Sequence, residues 1–351
     1  MNLRRCGLAG LLIAVALAPS SAVAQLPSDR TIGEIVPRDV REMYDRGLKW
    51  LVDRQAENGS WPGNQEGPGV TGLCLMCFLA SGEDPNFGVY SNVVRKAVRN
   101  IISMQDANTG YYGGSMYHHG FATLALAEAY GAVDERTLWP EGDAAAVPQG
   151  QRRSIGQSLE LAVRAAITSQ KQNQFGAWRY SPDSTDADTS VSGAVLVGLL
   201  AARNAGIEVP DESIERGVAY YKSMTSDSGQ VAYSGMGFDD SPARIAIGGT
   251  IYAYARRKDL PQFQAVINHL TQNLEAQPGP YLEYARYYQA QALFQGDVEA
   301  WEKWNKLLIR TLKESQQADG SFQGQFGAEL GTSMSLLALA LNYRFLPIYE
   351  R

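Results

Sequence analysis

One short pattern recurs along this chain and limits what it can fold into. The end of an amphipathic helix is followed by Gln, a short turn, Gly and an aromatic residue. It reads GLKWLVDRQAENGSW at 47–61, AVRNIISMQDANTGYY at 97–112, AVRAAITSQKQNQFGAW at 162–178 and LIRTLKESQQADGSF at 308–322. Weaker copies stand at 217–233, which keeps the Gly and aromatic without the Gln, and at 266–281, which ends in Pro-Gly-Pro-Tyr. The turn glycines Gly59, Gly110, Gly176, Gly229, Gly279 and Gly320 mark six units. A period of this kind is the signature of stacked supersecondary units, none of which buries its apolar face alone.

Each turn leads into a second helix far more apolar than the first: VTGLCLMCFLA from Val70, GFATLALAEAY from Gly120, SVSGAVLVGLLAA from Ser190 and SMSLLALAL from Ser333. A helix apolar on nearly all sides must be covered on nearly all sides, whereas the first helix of each unit carries Arg, Lys and Glu on one face and belongs outside. Alternating strand patterns are nearly absent. The expected fold is all-α, an (α/α)6 toroid of six outer and six inner helices over 41–346, with a loop insertion near 139–150 and an extended lead-in over 25–40.

The Gln-x-x-x-Gly-x-Trp turn of 55–61 resembles the repeat of squalene/terpenoid cyclases and of prenyltransferase β subunits, and the resemblance spans about 40–345. The segment AWEKWNKLLIRTLKESQQADGSFQG, followed by LNYRFLPIYER, is similar to exported bacterial single-toroid members of that superfamily. The resemblance implies that Gln and the aromatic tie the outer helix to the turn, and that an apolar, isoprenoid-like ligand occupies a central cavity.

The N-terminus has Arg4 and Arg5, an apolar run from Leu8 to Ala18 and a small-residue site at Ala22-Val23-Ala24, the pattern of a secretory signal peptide over 1–24. Its removal takes the formal charge from −6 to −8. An acidic mature chain is a poor match for nucleic acid or anionic lipid. The expected destination is the periplasm or the exterior, without a transmembrane span. Only Cys74 and Cys77 would remain, too few for a disulfide framework, and their place mid-helix among Leu73, Leu75 and Met76 marks them as core.

The inner helices all start at one rim, so chemistry is expected there, near their positive dipole ends. The candidates are His118 and His119, Trp178, Asp186 and Asp188, Asp239 and Asp240, and the tyrosines Tyr284, Tyr287 and Tyr288. Squalene and hopene cyclases protonate their substrate with an Asp of an Asp-x-Asp-Asp-Thr-Ala segment opening an inner helix; the resemblance therefore points to Asp186 or Asp188, with His119 as a further acid/base. The match is incomplete. With Asp188-Thr189 set on the final Asp-Thr, the acid position falls on Ala187; with Asp186 and Asp188 in the first two acidic positions, the third is Thr189. Read without the family, Asp188 is an N-cap and Asp186 an Asx-turn residue. The tyrosines have the spacing of one helix face, which stabilises a carbocation, stacks on a sugar, or only packs.

A prenyltransferase zinc would need Asp, Cys and His in later units. The cysteines lie in unit one and His269 on an outer helix, so neither a metal nor a cofactor is expected. Three readings stay open: a terpenoid-cyclase-like enzyme, a non-catalytic ring that binds a ligand or an unknown protein, and a polysaccharide hydrolase or lyase drafting Asp186, Asp239 and Tyr287.

Overall fold

The computed structural model describes residues 36–139, 152–235, 237–275, 279 and 281–350. The signal-peptide segment, most of the lead-in and all of the insertion near 139–150 but Trp139 lie outside these. Twelve α-helices fall into six hairpins: α1 (Arg38–Arg54) with α2 (Pro68–Leu79), α3 (Ser91–Ser103) with α4 (Met116–Ala129), α5 (Ile155–Gln172) with α6 (Thr189–Asn204), α7 (Asp211–Ser223) with α8 (Pro242–Tyr254), α9 (Pro261–Gln272) with α10 (Leu282–Gly296), and α11 (Val298–Ser315) with α12 (Ala328–Ala340). The described residues contain no strand, only an isolated bridge between Thr225 and Val231. The first outer helix starts at Arg38, three residues before the expected boundary at 41.

The even-numbered helices pack each against the next, and α12 returns to α2, so the inner layer is a closed ring. Burial follows the sequence pattern: eleven of the twelve residues of α2 are buried, against six of the eighteen of α11. Because all six inner helices run the same way, their N-termini form one rim and their C-termini the opposite mouth.

The repeat residues do more than tie a helix to its own turn. The Gln55 amide donates to Gly59 O (3.2 Å) in its own turn and to Val93 O (3.0 Å) on the next outer helix. Gln105 repeats this with Gly110 O and Ser158 O, both at 2.9 Å, and Gln170 with Gly176 O (2.8 Å) and Ser213 O (2.9 Å). Gln316 donates to Gly320 O and Met43 O, both at 2.9 Å, and so joins the sixth unit to the first. Where Gln is missing, Thr225 bonds instead to Tyr221 O and the Tyr252 hydroxyl, within its own hairpin.

At Gly59, Gly110, Gly229 and Gly320 the turn is set so closely against the backbone of the next outer helix that no side chain fits. A Cβ on Gly59 would lie 2.1 Å from Lys96 O, and one on Gly320 2.4 Å from Arg46 O, with φ at +89° and +95°. The tryptophans bolt each turn to its own outer helix, Trp61 Nε1 to Leu51 O (2.7 Å) and Trp178 Nε1 to Ala166 O (2.9 Å).

Candidate functional site

Asp188 opens α6. Its backbone N–H donates to Trp178 O (3.1 Å), and its Oδ1 accepts from Val191 N (2.8 Å), the N-cap bond expected of it. The side chain is nevertheless buried, and Oδ2 has no partner. Burial pushes its pKa up to about 6, against the pull of the helix N–H groups and of Arg179. A carboxyl in that state carries a proton at mildly acidic pH. Asp186, two residues earlier, is exposed and pairs with Arg179 (3.4 Å). Its carbonyl and that of Ser184 are held by the Asn173 amide, which pins the loop before α6 to the end of α5. Thr189 points elsewhere, its hydroxyl donating to Ala232 O (2.8 Å) in the neighbouring unit.

Inside the ring, aromatic side chains from opposite walls meet across the axis. Tyr117 on α4 stands edge-on to Tyr284 on α10 at 6.2 Å, and one turn deeper Phe121 meets Tyr287 at 6.5 Å. Tyr284 and Tyr288 are 5.0 Å apart, Tyr287 and Tyr288 4.8 Å. The Tyr284 hydroxyl reaches Ser190 O (3.4 Å), while the buried Tyr288 hydroxyl has no partner. The open central cavity of the sequence-based expectation is therefore crossed at this depth by tyrosine and phenylalanine rings. Tyr287 is buried and presents no face to a sugar.

Above this layer the rim holds residues that sequence reasoning missed. Tyr180 is 47% exposed, packs edge-on against Tyr117 at 5.8 Å and shares a hydroxyl–hydroxyl bond of 3.1 Å with Tyr233. The guanidiniums of Arg179 and Arg244 lie 5.5 and 5.9 Å from the Tyr233 ring centre. The only signal for Tyr117 and Tyr180 was position: one shares the first turn of α4 with the histidines, and the other follows Trp178.

Of the remaining candidates, the histidines, Trp178 and Asp240 are drawn away from this group, while Asp239 stays beside it on Arg244. His119 is fully buried and faces outward, Nε2 at 3.0 Å from Ala162 O on α5, its ring between Tyr111 and Tyr112; burial lowers its pKa to about 4, so it is neutral. His118 Nδ1 accepts from Gly69 N (3.2 Å) and thereby serves the first turn of α2. Trp178 is a buried bolt between layers, not a ligand platform. Asp239 pairs with Arg244, and Asp240 accepts from Gln230 (2.7 Å) and lies 3.5 Å from His269 of α9, which directs it to the outer layer. Cys74 and Cys77 are free and buried, with pKa values raised by burial. Among the described residues no three His, Cys, Asp or Glu side chains come together to hold a metal, and no helix is long and apolar enough to cross a membrane.

No protein-family profile matches the chain, and no curated protein matches it in sequence. Solved structures do match in shape. A variant of the type II terpene cyclase MstE from Scytonema, in complex with geranylgeranyl dihydroxybenzoate as substrate, superposes with a TM-score of 0.59 at 14% identity, over 88% of this chain and 98% of that one. A second MstE variant, in complex with merosterolic acid A as product, gives 0.56 at 14% identity over the same shares. A glycoside hydrolase family 76 mannosidase from Bacteroides thetaiotaomicron gives 0.62 at 8% identity, over 87% and 98%. At such identities the likeness is one of architecture, and the chain has the α/α toroid fold that the terpene cyclase and the mannosidase share.

Proposed function

We propose that this toroid takes an apolar, isoprenoid-like chain through its rim into the aromatic interior, and that Asp188 is the acid that acts on it. The observation that carries this reading is the buried Asp188 carboxyl, with Oδ2 unpartnered and a proton retained to about pH 6, on the inner helix whose Ser190 carbonyl meets Tyr284. Protonating an alkene needs a carboxylic acid that stays neutral until it meets its substrate, and a wall that stabilises positive charge. Tyr117, whose hydroxyl feels the Asp188 charge, and Tyr284 beside it offer such a wall in the interior. Entry requires these two rings to part. The type II terpene cyclase among the structural neighbours is consistent with this substrate class. In this reading the chain is exported, and the reaction takes place outside the cytoplasm.

A second reading is a ring that binds such a ligand without turning it over. Two observations favour it: with Asp186 and Asp188 in the first two acidic positions of the family segment, Thr189 stands in the third, with its hydroxyl committed to Ala232 O, and the interior rings are in contact. The deciding experiment is mass spectrometry of lipids extracted from the protein purified from its native envelope, beside an Asp188→Asn variant. An isoprenoid whose form differs between the two supports catalysis. The same isoprenoid in both supports binding alone, and no bound lipid in either rejects both readings.

A further inference from the structure

The chain does not stop at the ring wall. After α12, residues 341–345 turn back and Leu346–Glu350 crosses the mouth formed by the C-termini of the inner helices. Leu346, Ile348 and Tyr349 are each 2% exposed, although this stretch contains only one turn of 3-10 helix, Pro347–Tyr349. Four inner helices hold it. On α4, Glu128 Oε2 accepts from Ile348 N (3.3 Å); on α10, the Gln295 amide donates to Tyr349 O (3.3 Å) and Glu350 O (3.1 Å); on α12, Leu337 O accepts from the Tyr349 hydroxyl (3.5 Å); and α6 packs against the 3-10 turn. Beneath lie polar groups bonded to one another, Tyr254 to Gln291 (2.8 Å) and Gln291 to Tyr287 O (2.9 Å).

We propose that Leu346–Glu350 is a detachable plug for this second opening of the toroid, latched by a proton on Glu128. The geometry that suits a latch is the covering of a carboxyl: the plug seals Glu128 from water and brings Glu350, a like charge, towards it, while the single N–H it donates, from Ile348, offsets only part of the cost of a buried charge. The other titratable groups whose fields couple to Glu128 are Tyr349 in the plug, Tyr254 on α8 and Tyr287 on α10, all raised by burial and neutral over the range considered. Burial pushes Glu128 up, the Ile348 N–H pulls it part of the way back and Glu350 adds a smaller push, leaving it at about 8, against an ordinary value of 4.5 that it would regain in water with the plug undocked. Between those values the docked state holds more protons than the undocked one, so docking weakens as pH rises and levels off above about 8.

The test is hydrogen–deuterium exchange of the full chain, read at the amides of the plug at pH 5.5 and 8.0 and corrected for intrinsic exchange. Protection is expected to fall on the order of a hundredfold between the two. Glu128→Gln, which keeps an acceptor for Ile348 N but carries no proton to lose, is expected to hold its protection at both. Equal protection of the wild-type plug at both pH values, or an undiminished loss in Glu128→Gln, overturns the proposal. Should that variant not fold, Glu350→Gln at the exposed end of the plug serves in its place: a shallower loss supports the latch, and an unchanged one counts against it.

Discussion

Replacing the bridging glutamines by leucine tests whether the toroid is held by its inter-unit amide bonds, because two of them differ in a way that sets the size of the effect. Gln105 is fully used: its amide donates to Gly110 O and Ser158 O, and its Oε1 accepts from the Ser158 hydroxyl at 2.8 Å. Gln170 makes the same two donations, but its buried Oε1 has no partner. A net hydrogen bond is worth about 1 kcal/mol, and a buried acceptor left without one costs about 1–3 kcal/mol. Gln105→Leu removes three bonds and strands two carbonyls, an expected loss of about 3–5 kcal/mol. Gln170→Leu removes two bonds but also an acceptor already orphaned, so about 1–2 kcal/mol less. The assay is urea unfolding followed by tryptophan fluorescence, since Trp178 sits at the Gln170 turn and Trp61 at the turn of the unit before Gln105. A Gln170→Leu variant as destabilised as Gln105→Leu, or a Gln105→Leu variant that loses under 1 kcal/mol, would refute the reasoning.

Two further outcomes follow from the same geometry. Because the pKa of Asp188 rises from 3.8 to about 6 on folding, the folded state binds the extra proton and stability declines as pH climbs from about 4 to 6, by up to ~3 kcal/mol. Asp188→Asn, an equally good N-cap, is expected to flatten that slope, measured by urea midpoints across pH; an unchanged slope contradicts the assignment. Gly320→Ala meets both a positive φ and Arg46 O at 2.4 Å, whereas Gly206→Ala meets a similar φ of +91° with nothing nearby. The first is expected to cost roughly 2–5 kcal/mol and the second about 1–3, by thermal or urea unfolding; equal costs would show that the close approach is not what demands glycine.

How far the sequence could be read depended on whether the relevant contact lay within a hairpin or across the ring. The turns, the striped outer helices and the apolar inner ones are local patterns, and so is the cap at Asp188. The partner of each Gln was not legible, because it sits on the next outer helix. At the rim, adjacency misled. His118 and His119 are neighbours in sequence, but on a helix they point about 100° apart, one to α2 and the other out to α5. Asp239 and Asp240 are likewise adjacent, yet Asp239 pairs with Arg244 at the rim while Gln230 and His269 draw Asp240 to the outer layer. The tyrosine layer depends on the distance between opposite walls, which no spacing along the chain encodes.

The bond from Gln316 to Met43 also carries a kinetic consequence. It joins positions 273 residues apart, and closing a loop of that length costs about 5 kcal/mol of chain entropy before any seam contact offsets it. At typical rates of synthesis the interval between the two residues leaving the ribosome is roughly 15–55 seconds. Throughout that interval α1 and α2 present the apolar side that α11 and α12 will later cover. A nascent ring is thus an open solenoid with a sticky first edge, and the step that commits it to the native state is the arrival of the last hairpin.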